Sequence, residues 1–411
     1  MVDKNLFLYD LAVVSILKNE APYLKEWLDY HLAAGVDHFY LYDNDSPDNQ
    51  SEVVAPYVAA GLVDYFSLPG KVMQAVAYND APKRFKFFSR YMTFIDGDEF
   101  IFPKSNRSIV EVVDEILSAV PNAAGVAVNI HNFGSNGLDK ADYSRGVLER
   151  FTRRAPSNWI RSEVPRGNQL VSSILNPRAI KFLPNPHCAI YLENFFAVNE
   201  NGDRVPGYSN EPVTAEKIVM NHYNTKSREE YQKKIERGMA DKVHNVYDMK
   251  FFEIRDRNEV FDDGILKYRA AREKNFSLED AAKKFYRVTE ALIENLSAEK
   301  ISLEAALTCR ALSSFLLKKF PSDKDSWKIC VEKSLEAILK SLSGINFSEA
   351  QLFVRELPNL LNLPYPAAKE IRVAASQIIS QMKEIYRLNG QWKDFVEADY
   401  LQDFLRSDSF D

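Results

Sequence analysis

The stretch Tyr91-Met-Thr-Phe-Ile-Asp96-Gly-Asp98-Glu99-Phe-Ile-Phe-Pro103 decides the reading of this chain. A hydrophobic strand delivers two aspartates, one residue apart, to the point where the strand should end. Alternate strand residues face the same way, so both carboxylates are expected to converge on one hard divalent cation. An ion held by only two carboxylates keeps open positions for phosphate oxygens, which suits metal-assisted transfer from a nucleoside diphosphate. The string alone is ambiguous. Asp-Gly-Asp-Glu-Phe is one letter from the Gly-Gly-Asp-Glu-Phe of diguanylate cyclases, but that signature belongs on a hairpin, and here a buried strand leads into it. An aspartate-nucleophile phosphatase would need Thr two residues after the second Asp, where this chain has Phe100.

Working outward, residues 11 to 17, Leu-Ala-Val-Val-Ser-Ile-Leu, form a continuous apolar run expected of a strand buried on both faces of a parallel sheet. A helix opens at Glu20-Ala-Pro22, carries Leu24, Trp27, Leu28 and Leu32 at helical spacing, and closes at Gly35. His38 to Tyr42 reads as a strand that runs into the turn-rich Asp43-Asn-Asp45-Ser-Pro47. Val53 to Ala60 reads as helix, Leu62 to Leu68 as strand, and a helical stretch through Ala75 and Ala77 leads back to the opening segment. This alternation predicts right-handed crossovers and a doubly wound α/β sheet, with ligand beyond the carboxyl ends of the strands. Asn19-Glu20, Asp43-Asn44 and Asp96-Gly97-Asp98 all fall at such ends.

The 411 residues exceed one typical domain, and a net charge of −6 supplies no basic excess for binding nucleic acid. The three cysteines, Cys188, Cys309 and Cys330, are scattered and show no metal-type spacing, which is expected of a reducing cytoplasm. No apolar run approaches the roughly 20 residues needed to span a bilayer, so the expectation is a cytoplasmic protein with at most peripheral membrane contact.

After a helix over Ile109 to Val120 and a strand over Gly125 to Ile130, the chain passes His131-Asn-Phe-Gly134-Ser-Asn-Gly137 into a region rich in Pro, Asn and Arg, with strand-like Ala189 to Val198. Lys217 to Met220 leads to Asn221-His222-Tyr223, and Ser227 with Glu230 makes a capping box for a helix. Beyond about residue 250 strand patterns disappear. Amphipathic stretches follow at about 277 to 296, 301 to 319, 323 to 343, 347 to 361, 366 to 388 and 391 to 405. The expected organisation is an α/β domain over 1–250 and an all-α domain over 251–411, the latter a candidate surface for homo-oligomerisation.

Leu17-Lys-Asn19-Glu20, Tyr23-Leu-Lys-Glu26-Trp27-Leu-Asp-Tyr-His31, Tyr42-Asp43-Asn44, Gln74, Asn79, Asp96-Gly-Asp98-Glu99-Phe100, Phe133-Gly134, Glu149-Arg-Phe151, His222-Tyr223, Lys226-Ser227, Lys234 and Arg237-Gly238 occur in unbroken order over about residues 10 to 240. This series resembles the glycosyltransferases of family 92 and neighbouring bacterial enzymes of the family 2 type. The resemblance implies a GT-A fold, a Rossmann-like doubly wound mixed sheet, and transfer of a hexose, commonly galactose, from a UDP-sugar with inversion. It makes Asp96 and Asp98 the pair for Mn2+ or Mg2+, with His222 completing the metal shell. Asn19, Glu20, Asp43 and Asn44 become the nucleoside-facing edge, Gln74, Asn79 and Gly97 join the donor-binding set, and Lys226 and Lys234 approach the diphosphate. The acceptor is expected to be a glycan, lipid-linked where the enzyme visits a membrane face. Val171-Ser-Ser-Ile174 lacks a basic residue that the family often carries there, which bears on the acceptor more than on the donor.

Inversion needs one base for the acceptor hydroxyl. Asp139, Asp142, Glu149, Glu163 and Glu193 follow the glycine loop, and Glu149 and Glu193 are the preferred pair. Glu99 is expected to orient the site. His131 and His187 are divided between substrate contact and packing, and His31 is expected to pack. The competing readings are a catalytically inactive sugar-nucleotide-binding or scaffold protein, and a nucleotidyltransferase, which also uses paired aspartates.

Overall fold

The computed structural model describes residues 2–160, 167–239, 247–273, 278–361, 363, 365–391, 394, 397–399, 401–402 and 405. Glu163 lies outside these residues, as does part of the helix expected at about 391 to 405. The chain divides into two compact units, Tyr9–Tyr191 with Phe195–Ser277, and Met1–Leu8 with Leu192–Asn194 and Leu278–Asp411.

The first unit begins β1 (Tyr9–Leu17), α1 (Ala21–Ala33), β2 (His38–Asp43), α2 (Gln50–Ala59), β3 (Val63–Ser67), α3 (Gln74–Phe85) and β4 (Ser89–Phe94). Strand β1 explains why this segment is doubly wound. Its Leu11, Val13 and Leu17 pack with Trp27 and Leu28 of α1, while Ala12, Val14 and Ile16 pack with Ala77, Tyr78 and Ala81 of α3. Apolar residues predominate on both sides of the strand, buried Ser15 excepted, because each face of the strand meets a helix. Pro22 sits in the first turn of α1, and Gly35, at φ +105°, ends it where a Cβ would meet the side chain of Ser108.

The opening segment is two strands rather than one. β4 stops at Phe94, Asp96-Gly97-Asp98 forms the turn, and β5 (Glu99–Pro103) begins at once. Then come α4 (Ile109–Ser118), β6 (Ala123–Asn132), α5 (Val147–Arg150), β7 (Arg153–Arg154), β8 (Val171–Leu175), β9 (Ile180–Asn185), β10 (Cys188–Tyr191), β11 (Phe196–Val198), β12 (Ile218–His222), α6 (Arg228–Arg237), α7 (Met249–Arg255) and β13 (Val260–Phe261). The strand-like stretch from Ala189 to Val198 is thus divided between β10 and β11. β13 pairs antiparallel with β7, so strand structure extends past residue 250.

The main sheet runs β3-β2-β1-β4-β8-β6-β12-β5, with β11 also on β6. β3, β2, β1 and β4 are parallel neighbours, β8 is antiparallel to β4 and β6, and β5 is antiparallel to β12. This is the mixed, doubly wound sheet expected of a GT-A domain. Its strand order reverses between β1 and β4, where a crevice opens at the carboxyl ends.

The second unit is helical, with α8 (Leu278–Ser297), α9 (Leu303–Lys319), α10 (Lys324–Ser341), α11 (Phe347–Leu361) and α12 (Pro366–Leu388). Leu292, Leu312, Leu335, Ile338, Leu357, Ile371 and Ile379 are fully buried, one stripe per helix. Among the described residues no helix is long and apolar enough to cross a membrane.

Helix α6 is held by its cap and by a buried ion pair. Ser227 and Glu230 form the expected capping box, and Glu230 also takes a bidentate pair from Arg150, at 2.8 and 2.9 Å. The two side chains are 2% and 1% exposed. Arg150→Met should therefore strand a buried carboxylate and destabilise the α/β unit by about 3–5 kcal/mol. Urea denaturation followed by tryptophan fluorescence measures this, and an unchanged midpoint would refute it.

Candidate active site

A cleft of about 860 Å³ opens at the carboxyl ends of β1, β2 and β4 and is walled on its far side by α6 and α7. The sheet supplies Glu20, Asn44, Asp96, Gly97, Asp98, Glu99 and His222, and the helices supply Lys234, Arg237 and Arg255. His222 arrives through strand pairing, because it is the last residue of β12 and stands in register with Glu99 of antiparallel β5.

Asp98 is the best-held group in the cleft. Lys234 Nζ lies 2.7 Å from its Oδ2 and His222 Nε2 lies 3.4 Å from its Oδ1. Lys234 also donates to the Asn224 carbonyl at 3.2 Å. Burial alone would raise the Asp98 pKa, but the Lys234 ammonium and His222 outweigh it and hold the carboxyl well below its usual range. Burial lowers the pKa of His222, with Asp98 opposing. For Glu99, burial reinforced by Asp96 and Asp98 holds the carboxyl well above its ordinary value. Glu99 Oε2 accepts from the Asp96 amide at 3.1 Å, and Trp27 Nε1 donates to its carbonyl at 2.8 Å, so this residue fastens the turn.

Asp96 Oδ1 accepts from Gln74 Nε2 and from the Tyr78 hydroxyl, each at 3.1 Å, which fixes it toward α3. Gly97 is closely packed, and a Cβ there would stand 3.0 Å from the Leu17 side chain, which would have to give way. The expected metal set does not fit as arranged. Among the described residues no group of three or more His, Cys, Asp or Glu side chains is disposed to hold a metal ion. Both Asp98 oxygens already face nitrogen, from Lys234 and His222.

The remaining expected residues divide into cleft and scaffold. Glu20 lines the cleft and pairs with Arg237, whose guanidinium also donates to the Lys18 carbonyl at 2.9 Å. Asn44 lines it too and donates to the carbonyls of Leu68 and Gly70, both at 2.9 Å, tying β2 to the chain after β3. Asn19, at φ +55°, donates its amide to Ser46 Oγ at 3.1 Å, and Asp43 accepts from the Ser46 amide at 3.1 Å and from Gln50. Asn79 bonds both backbone groups of Leu183 at 2.9 Å, anchoring β9. Lys226 is buried with its ammonium over the Tyr23 ring, 4.4 Å from the centroid. None of Asn19, Asp43, Asn79 and Lys226 is among the lining residues.

The two preferred bases are elsewhere. Glu149 pairs with Arg145 at 3.3 Å and lines a separate cavity of about 80 Å³. Glu193 belongs to the helical unit, where its amide donates to Gln351 Oε1 at 3.2 Å. Asp139 stands 81% exposed beside Arg228, and Asp142 caps Ser144. The Gly134 loop is a latch, with Ser135 and Asn136 amides bonded to Asp256 and Asn258 at 2.6 and 2.8 Å. A Cβ on Gly134 would collide with the Arg257 carbonyl, so its backbone approach is to the protein itself. His131 is 1% exposed and is not a lining residue, and His31 is packed and donates from Nδ1 to the Trp27 carbonyl at 2.8 Å.

His187 does line the cleft. Its Nδ1 lies 3.0 Å from the Val171 carbonyl, which can only accept, so the neutral ring carries its proton there and Nε2 is the basic nitrogen. Sequence reasoning left out Arg237, Asn224, Tyr247 and Arg255 as site residues. Arg237 follows Lys234 by three, a spacing that places both on one helical face and was available as a signal. Tyr247 and Arg255 had none, because the stretch past residue 247 reads only as the approach to a helical region.

The profile of Glycosyltransferase family 92 matches residues 13–258. A Glycosyltransferase family 92 protein of Ricinus communis is 25% identical over 169 residues, 41% of this chain and 30% of that protein. One of Arabidopsis thaliana is 28% identical over 176 residues, 41% of this chain and 30% of its own length. The matched region thus spans less than a third of these relatives. Among solved structures, S. aureus TarS 1–349 aligns over 92% of both chains at 15% identity, with a TM-score of 0.31. With the family profile covering more than half of its length, the chain belongs to glycosyltransferase family 92.

Proposed function

We propose that the chain is an active hexosyltransferase that takes its sugar from a UDP-sugar, UDP-galactose before others, and passes it with inversion to a glycan hydroxyl. The observation that carries this reading is the convergence of Lys234, Arg237, Asp98 and His222 in one large cleft at the strand-order reversal. Family membership supports the reaction class, and the preference for galactose rests on the resemblance of the motif series.

In the reaction an acceptor oxygen forms its bond to the anomeric carbon as the bond from that carbon to the diphosphate oxygen breaks. The bonding pair leaves with the nucleoside diphosphate, and the acceptor's hydroxyl proton passes to a base. Cations fixed in the cleft before the donor arrives stabilise the charge that develops on the leaving group. The tautomer of His187 supports it as the base, and Glu149 lines a different cavity.

The test is a screen of sugar nucleotides against glycan acceptors, with and without manganese, reading free UDP. UDP-galactose should give the highest rate, and Asp98→Ala should lower it about 100-fold or more. Release of pyrophosphate would favour a nucleotidyltransferase, and no release of either product would favour an inactive binding protein. Proton NMR of the first product should show the β-anomer from an α-linked donor, and retention would refute inversion. His187→Asn should lower kcat on the order of 100-fold at neutral pH while leaving UDP affinity unchanged, and loss of both together would mark a structural role instead.

A further inference from the structure

The sequence expectation of a metal held by Asp96, Asp98 and His222 conflicts with the arrangement of the cleft, and the conflict has a specific chemical content. Asp98 is 4% exposed, and its Oδ2 is taken at 2.7 Å by the ammonium of Lys234. That ammonium is fixed by a second acceptor, the Asn224 carbonyl at 3.2 Å, and it lies over the Tyr247 ring, 5.1 Å from the centroid. An ammonium has three N–H donors. Asp98 and Asn224 use two, which leaves one N–H on an ammonium whose side chain lines the cleft.

Asp96 is likewise committed, to Gln74 and Tyr78. Arg237 stands differently, since its Nη1 is bonded to Glu20 and the Lys18 carbonyl and not to the aspartate motif. Lys234 is therefore the one cation, among those whose contacts are described above, that sits on the aspartate motif itself.

We propose that the ammonium of Lys234, seated on Asp98, is a built-in counter-ion for the donor diphosphate, so that nucleotide binding and transfer need no divalent metal. The proposal rests on the UDP-sugar reading of the cleft. When the anomeric carbon parts from the diphosphate oxygen, the electron pair stays with the nucleotide. Lys234 donates a hydrogen bond to that charge and keeps its proton, while the acceptor's proton goes to the base. A fixed lysine suits this task because its charge is already in place and needs no reorganisation.

Calorimetric binding of UDP to the full chain separates the possibilities. In EDTA the wild type should bind UDP within about threefold of its affinity in millimolar manganese, and binding that appears only with manganese would overturn the proposal. Lys234→Met should lose about tenfold or more in EDTA and should now respond to manganese, because Asp98 is released from its ammonium. Equal affinity of this variant and the wild type in EDTA would also overturn the proposal. If UDP binds in neither buffer, the donor reading itself fails, and this inference with it.

Discussion

A carboxylate buried at the end of a sheet is the constraint around which this α/β unit is organised. Removing the Asp98 charge from water costs several kcal/mol unless a cation meets it with good geometry. Lys234 is that cation, and it comes from a helix far along the chain. Helix α6 must therefore dock in one position. Its first turn is fixed by the Ser227–Glu230 box and the Arg150 fork, and its last turn by Arg237 against Glu20 and the Lys18 carbonyl. The three attachments fall at Glu230, Lys234 and Arg237, the spacing of one helical face. Each is polar and at least partly buried, so the helix is positioned by directional bonds more than by apolar packing. Buried Tyr231 adds the apolar contact, against Phe252 of α7.

The parts of the fold legible in the sequence are those whose cause is local. The apolar run of β1, helical spacing in α1, and a capping box before α6 each announce their element through neighbours in the chain. The helical unit was legible for the same reason, because its amphipathic periods are long and are broken by Pro and Gly. What escaped was set by partners distant in sequence. The second strand beyond the Asp96 to Asp98 turn, β5, leaves β4 to pair with β12, more than a hundred residues later. Two-residue β13 exists only because β7 offers it an edge.

The same distinction governs the site. Asp96, Asp98, Glu20, Asn44, Gln74, Lys234 and His222 share the cleft as the strand-end rule and the motif order anticipated. Asp43 and Asn79 have equally polar side chains at equally plausible positions, yet they hold backbone. An asparagine presents donor and acceptor in the same geometry as a peptide group, so Asn79 can stand in for a strand neighbour at Leu183. No pattern in sequence separates an asparagine that replaces a peptide from one that waits for a ligand. Glu149 shows the converse, since it follows the glycine loop along the chain yet lines a different cavity.

The charge balance of the cleft links this scaffold to its chemistry. Six lysine and arginine side chains and five carboxylates line it, with His187 and His222 in addition. Glu99 holds its proton to higher pH than an ordinary glutamate, which tips the balance further toward positive charge. An empty cleft lined by cations alone would pay heavily in self-repulsion, and one fully neutralised would have nothing left for an anion. Internal pairing resolves the conflict, because Asp98 and Glu20 hold Lys234 and Arg237 in place while the modest positive excess faces the cavity. A doubly charged diphosphate entering such a cleft meets donors already oriented, and the cost of orienting them was met when the protein folded.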